Sequence, residues 1–303
     1  MKVLVSGASG LVGSAIAEAL RRDAHTVARL LRPESAGRPE PTDVRWHEVS
    51  GDFDAAAAEG ADAVVHLAGA SIAAGRWNDA RKRLIRSSRV EATRHLVSAL
   101  AKLARPPRLF VCASASGYYG DRGDEELTEQ SSPGNDFLAT LARDWEAEAA
   151  RAEQFGARTA TLRFGLILSR RGGALPRMLR PFRLGLGGRL GSGKQWMSWV
   201  TLEEVVEIIR YALSNAAVRG PVNAVAPNPV RNAEFTAILG RVLRRPTIFP
   251  VPAFALRLGL GEMGDALLLG SQRILPRKLQ QLGYSFQQSE LEPALSALLG
   301  PVR

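Results

Sequence analysis

Lys2-Val3-Leu4-Val5-Ser6-Gly7-Ala8-Ser9-Gly10-Leu11-Val12-Gly13 is the stretch on which the fold turns. Residues 2 to 6 form a short apolar run suited to a buried strand, and Leu11 to Arg21 follow as a helix. Gly7 permits a tight turn between them, Gly10 lets a pyrophosphate approach the backbone, and Gly13 lets the helix pack closely on the sheet. The amides and dipole of the helix start then face an anion. An ordinary strand-to-helix turn is the plainer reading of three glycines. Against it stands the order strand, loop, helix and second strand, with Thr26 to Leu31 where the motif requires it. Ser9, Leu11 and Val12 join Gly7, Gly10 and Gly13 as candidate cofactor-binding residues.

Working outward, Ala63 to Leu67, Leu109 to Ala113 and Ala157 to Phe164 read as further strands, separated by helices around Ala80 to Leu103 and Phe137 to Glu153. Alternating strands and helices build crossover units, and these give an α/β fold of the Rossmann type, a doubly wound parallel sheet. After Ser169 the pattern loosens into glycine- and proline-rich segments, with helical stretches from Leu202 to Ser214, from Asn232 to Leu243 and near the C-terminus. Residues 1–168 are therefore expected to form the dinucleotide-binding domain. Residues 169–303 form a smaller, irregular C-terminal substrate-binding region, with the chain free to cross between the two. Thr201-Leu202-Glu203-Glu204 reads as a capping box at the start of a helix.

Composition narrows the function classes. With 46% hydrophobic and 23% charged residues, 303 residues are enough to bury a full core, and global disorder is excluded. Cys112 is the single cysteine and the four histidines lack ligand spacing, so neither a disulfide framework nor a metal site is expected. No apolar run reaches the ~18 to 20 residues of a membrane-spanning helix, and the first strand begins without a charged and apolar leader. A cytoplasmic protein without membrane contact is the expectation. Forty Lys and Arg against thirty Asp and Glu leave a charge of +10. The densest basic stretch, Arg76 to Arg94, carries Leu84, Val90, Leu96, Val97 and Leu100 on or just beyond it at helical spacing and reads as a solvated face. Nucleic acid is an unfavoured partner, since no recognition motif accompanies the charge. A phosphate-rich small molecule explains the sign equally well.

The end of the second strand chooses the dinucleotide. An acidic residue there bonds a ribose 2′-hydroxyl, whereas a basic one pairs with a 2′-phosphate. Arg29-Leu30-Leu31-Arg32 places positive charge at this point, with no carboxylate before Glu34. NADP is favoured over NAD, with Arg32 as the discriminating residue; a solvated loop cation is the other reading of Arg32.

Further motifs follow in order: Gly51-Asp52-Phe53, Asp62-Ala63-Val64-Val65-His66-Leu67-Ala68-Gly69, Ser87 to Thr93, Cys112 to Gly120, Leu162-Arg163-Phe164-Gly165, and Gln195 to Val200. With the Gly-x-x-Gly-x-x-Gly loop they resemble the extended and atypical short-chain dehydrogenase/reductase family. The resemblance is to its NAD-dependent epimerase/dehydratase-like subgroup with a C-terminal domain of unknown function, and it spans nearly the whole chain. It implies an adenine-contacting turn at Asp52 and Phe53, a cofactor-lining turn at Leu67, Ala68, Gly69 and Ala70, and cofactor contacts at Arg163, Phe164 and Gly165. It also implies an NADP-dependent oxidoreductase or epimerase acting on a carbinol or carbonyl of a polar small molecule, a nucleotide sugar among the candidates. It leaves a homodimer open.

The resemblance further implies a helical Tyr-x-x-x-Lys pair, in which lysine and nicotinamide charge lower the tyrosine pKa for proton transfer. This chain departs from it, because the stretch after Pro133 is Phe137-Leu138-Ala139-Thr140-Leu141. Phe137, Leu141 and Trp145 recur at i, i+4 and i+8 and read as a packed helical face. Ser114 is the candidate for the orienting hydroxyl, since it follows the strand aimed at the nicotinamide, and Tyr118 or Tyr119 is the candidate proton donor. A loop tyrosine that packs its ring and bonds its hydroxyl to backbone is the plainer alternative. Arg163 and Lys194 are candidates to hold an anionic substrate group, or else are solvated cations. The absent pair also supports a second class of function, a cofactor-binding sensor or regulatory interaction protein without turnover.

Overall fold

The computed structural model describes residues 1–32 and 40–300. Seven strands form one sheet: β1 (Lys2–Ser6), β2 (Thr26–Leu31), β3 (Val44–Arg45), β4 (Ala63–His66), β5 (Leu109–Ala115), β6 (Arg158–Phe164) and β7 (Gly220–Ala224). Their order is β7-β6-β5-β4-β1-β2-β3, and every pairing is parallel. This is the doubly wound α/β fold that the alternation of elements predicts. The strands are apolar runs because both faces of the sheet are covered. Val3, Val5 and Val111 join one core with Ile16 and Leu20 of α1 (Leu11–Arg22). Leu4, Val64 and Phe110, one residue out of phase, join the opposite core with Leu96 and Trp145. That alternation is the two-residue period of a strand read through two hydrophobic layers.

The expected helix over 80–103 is two helices, α2 (Asp79–Ser87) and α3 (Val90–Leu100), broken at Ser88 and Arg89. Leu84 accordingly leaves the buried face, with 48% of its surface exposed. Nor is the basic stretch a purely solvated face. Arg86 pairs with Asp144 at 2.8 Å and Arg94 with Glu148 at 2.7 Å, both acids lying on α4 (Phe137–Ala150), and Lys82 pairs with Glu262.

Beyond residue 168 the chain returns to the sheet. β7 is its outermost strand beside β6, and α6 (Leu202–Ser214) packs on α1. Other C-terminal residues close a separate core, in which α5 (Leu175–Arg183) and α7 (Asn232–Leu243) contribute Leu179, Phe182, Phe235 and Leu239 around Trp199. The capping box forms by half. Thr201 Oγ1 accepts from the Glu204 amide at 3.1 Å, but the Glu204 carboxylate is buried against the C-terminal tail. It accepts there from the Tyr284 hydroxyl and from the Gln287 and Gln288 amides, at 2.5, 2.9 and 2.8 Å. A buried carboxylate with three donors is better satisfied than one reaching back to a single exposed amide.

Candidate functional site

The sheet reverses its winding between β1 and β4, where an open parallel sheet leaves a crevice at the carboxyl ends of its strands. The glycine loop sits on this edge. Gly7 adopts φ +65°, and a Cβ there would lie 2.8 Å from the Leu67 carbonyl carbon, so the two turns above β1 and β4 touch through backbone. A Cβ on Gly13 would lie 2.1 Å from the Gly7 carbonyl oxygen. Gly13 therefore lets the helix close on its own loop more than on the sheet. Gly10 caps α1 in an extended conformation with no side chain bonded to the helix start, and Ser9 and Gly10 are exposed. An uncapped, glycine-lined helix start fits a dinucleotide pyrophosphate. Leu11 and Val12 are half-buried in the first turn.

The second turn is fixed from below. Ser6 Oγ accepts from the Leu67 and Ala68 amides at 2.9 and 3.2 Å and lies 2.7 Å from His66 Nδ1. His66 Nε2 lies 3.0 Å from Thr93 Oγ1, which also accepts from Trp145 Nε1 at 2.9 Å. Burial pushes the His66 pKa down to about 3, so the ring is neutral. Gly69 and Ala70 continue the turn. Arg89, at the helix break, donates to the Ala70 and Ile85 carbonyls at 3.0 and 3.2 Å, and its guanidinium lies 5.3 Å from the Trp145 ring centroid. Burial, with Arg81 adding to it, lowers the Arg89 pKa to about 10, and Arg89 has no carboxylate partner among the described residues.

At the far end of β2, Arg32 is exposed and reaches Glu48 at 3.3 Å, an exposed pair that holds it weakly. Asp52 accepts from the Ser50 hydroxyl at 2.6 Å, and Phe53 bridges to Trp46 beneath it. Glu34 lies outside the described residues.

At the end of β5 the candidate residues converge on a group the motifs did not disclose. Glu146 Oε1 accepts from Ser114 Oγ at 2.6 Å and from Arg163 Nε at 2.8 Å, while its Oε2 accepts from Arg163 Nη2 at 2.8 Å. Arg163 is 2% exposed, so it is neither a solvated cation nor free for a substrate anion. Burial works against its charge, but the Glu146 bond and charge outweigh that and raise its pKa. Its remaining donor, Nη1, reaches the Tyr119 hydroxyl at 2.9 Å. Tyr119 lies within 2.6 Å of Asn223 Oδ1 and 3.0 Å of the Thr128 carbonyl, either of which its proton can reach. Burial pushes its pKa up to about 12, against the pull of Arg163. Tyr119 is thus engaged in the structure and poorly placed to give or take a proton. Tyr118 differs: Arg163 stacks on its ring at 3.4 Å, the ring is half-buried, and its hydroxyl has no hydrogen bond among the described residues. Both tyrosines lie on a short 3-10 helix, Ser116–Tyr119, where a loop was expected.

Phe137 meets Trp77 edge-on at 5.3 Å with Lys82 over its ring, and Leu141 and Trp145 are buried, so this face of α4 packs as its spacing predicts. Phe164 is half-buried between both cores, and a Cβ on Gly165 would meet the Ser198 carbonyl at 2.5 Å. Lys194 is exposed, and it has no hydrogen bond or ion pair to the Ser114 group among the described residues. Glu146 carried a readable signal. It stands four residues after Ala142 and three before Ala149, on the buried stripe of an amphipathic helix, where a carboxylate demands a partner.

Residues 3–225 match the NAD dependent epimerase/dehydratase family. The chain belongs to that family. Residues 251–298 of this epimerase-family chain match a domain of unknown function, DUF1731. An epimerase family protein of Mycobacterium tuberculosis is 43% identical over 293 residues, 97% of this chain and 96% of its own. The crystal structure of human epimerase family protein SDR39U1 with NADPH has a TM-score of 0.88 and 34% identity, over 98% of this chain and 99% of that one. A nucleoside-diphosphate sugar epimerase from Corynebacterium glutamicum, 36% identical with a TM-score of 0.80, covers 99% of this chain, which spans 58% of that longer protein.

Proposed function

We propose that the protein is an NADP-dependent oxidoreductase or epimerase acting on a carbinol or carbonyl of a polar small molecule, with nucleotide sugars as the first class to test. The observation that carries this reading is the pair of hydroxyls, Ser114 and Tyr118, held against the buried Glu146–Arg163 pair on the same sheet edge as the glycine cradle. NADPH as the cofactor is supported by Arg32 at the end of β2 and by the NADPH in the human relative. The name of the Corynebacterium relative supports the substrate class.

The bound cofactor would supply a hydride to a carbonyl as NADPH or take one from a carbinol as NADP+. The chain supplies position and a proton route. Because the Ser114 proton is directed at Glu146, its oxygen presents lone pairs to the cleft and accepts from a carbinol hydroxyl. Tyr118 carries the one candidate hydroxyl left without a partner, and it exchanges the proton with the substrate oxygen. Glu146 is a positioning residue that fixes the Ser114 rotor, and Arg163 fixes Glu146. With Arg163 consumed, Arg89, a half-buried cation beside the Gly69–Ala70 turn, is the candidate to hold an anionic substrate group.

Single-turnover oxidation of bound NADPH across a panel of carbonyl compounds, nucleotide 4-keto sugars included, tests the proposal. Oxidation that Tyr118→Phe slows supports it. Persistent absence of oxidation with cofactor binding intact returns the protein to the sensor reading that Phe137 and Leu141 suggest.

A further inference from the structure

Residues 184–191 and 246–253 run side by side in the same direction. Gly185 lies against Pro246, and Gly188 is pressed so close to the Phe249 carbonyl that no Cβ fits. Leu190 then bridges to Val251, whose amide donates to the Arg189 carbonyl at 2.9 Å. Leu184, Leu186, Ile248 and Phe249 lie on this ribbon, and it leads directly into α8 (Ala253–Leu260), which presents Phe254 and Leu258 one turn apart. These six side chains are 51 to 78% exposed, and they are six of the nine exposed large apolar residues among those described. Sequence alone does not single out so dense a tract, because the two segments are about 60 residues apart.

The chain segments that build it are basic. Neither 170–202 nor 235–261 contains an Asp or Glu. Arg180, Arg183, Arg189, Arg244 and Arg245 are exposed here and make no ion pair among the described residues. Arg241 and Arg257, on the same segments, pair with Glu292 and Asp265. Apolar side chains collared by unpaired arginines are the two signals that together hold a protein on a bilayer.

We propose that this face docks on an anionic lipid surface, with Phe254, Leu258 and Ile248 in the headgroup boundary and the arginines on lipid phosphates. A two-fold contact with a second copy would set the same arginines against each other, and a nucleic acid would leave Phe and Leu in water. No helix among the described residues is long and apolar enough to cross a membrane, and lying on its surface requires none.

The test is sedimentation of the full chain with vesicles of phosphatidylcholine alone or mixed with phosphatidylglycerol. Binding is expected only to the mixed vesicles, falling as salt is raised, and Arg244→Glu with Arg245→Glu should weaken it about 25-fold or more. Phe254→Ser with Leu258→Ser should abolish it at low salt while the melting temperature holds, since both side chains are exposed. Three results overturn the proposal: no binding to the mixed vesicles; binding that the Phe254 and Leu258 variant leaves unchanged, which marks a generic polyanion site; or a concentration-dependent dimer that this variant dissociates, which assigns the face to a second copy.

Discussion

Ser6 and His66 are register partners on adjacent parallel strands, and their side chains meet at 2.7 Å beneath the turn that lines the cleft. The tautomer that satisfies most groups has the proton on His66 Nε2, donating to Thr93, while Ser6 donates to Nδ1 and gives its lone pairs to the Leu67 and Ala68 amides. A positive imidazole would need an acceptor at both nitrogens and would strip Ser6 of its role.

That neutrality gives a pH signature. An unfolded His66 takes a proton near 6.5 and the buried one only near 3, so the stability it contributes is complete above pH 6.5 and is lost as the pH falls toward 3. The slope from this residue reaches about 1.4 kcal/mol per pH unit. Urea unfolding of the wild type and of His66→Gln should differ most near neutrality and converge toward about pH 4; parallel curves would refute the neutral ring.

The glycines of the first loop should separate fold from binding. Ala at position 10 meets only the Gly7 oxygen, at 3.2 Å, so Gly10→Ala should cost about 1 kcal/mol or less while weakening NADPH at least about tenfold. At Gly13 the Cβ would sit 2.1 Å from that oxygen, and Gly13→Ala should lose about 2 to 3 kcal/mol as well as binding. Thermal melts with fluorescence titration measure both.

The two tyrosines make opposite forecasts. Tyr119→Phe should lower stability by about 1 to 2 kcal/mol, because Asn223 and Arg163 lose their partner, and should leave turnover near wild type. Tyr118→Phe should leave stability within about 0.5 kcal/mol and slow NADPH oxidation about 100-fold or more. Equal turnover in both variants removes Tyr118 from the chemistry.

Glu146 and Arg163 form a buried pair, so removing either partner strands a charge. Glu146→Gln should cost about 3 kcal/mol, and a double-mutant cycle with Arg163→Met should return a coupling of at least about 1.5 kcal/mol. Ser114→Ala, which leaves the pair intact, should cost about 1 kcal/mol.

Arg32 should set cofactor choice with no structural cost. Arg32→Ala is expected to reduce the preference for NADPH over NADH about tenfold at unchanged melting temperature, as its contact with Glu48 is exposed. An unaltered ratio of dissociation constants assigns Arg32 to the solvated surface.

The fold and the first loop are local in the chain, and so they are legible in it. Strand periodicity, glycine spacing and the apolar face of Phe137, Leu141 and Trp145 are all set within a dozen or so neighbouring residues, where backbone geometry alone dictates the pattern. What decides the site is not local. Ser114, Tyr119, Glu146, Arg163 and Asn223 come from a strand end, a 3-10 turn, a helix and two further strands. The chain marks Ser114, Tyr119 and Arg163 by motif and Glu146 by its place on a buried helical stripe, but it shows none of their contacts. A buried charge must find its partner wherever the packed sheet delivers one, and only the tertiary structure shows that Arg163 belongs to Glu146 and that Tyr118, rather than Tyr119, keeps its hydroxyl free.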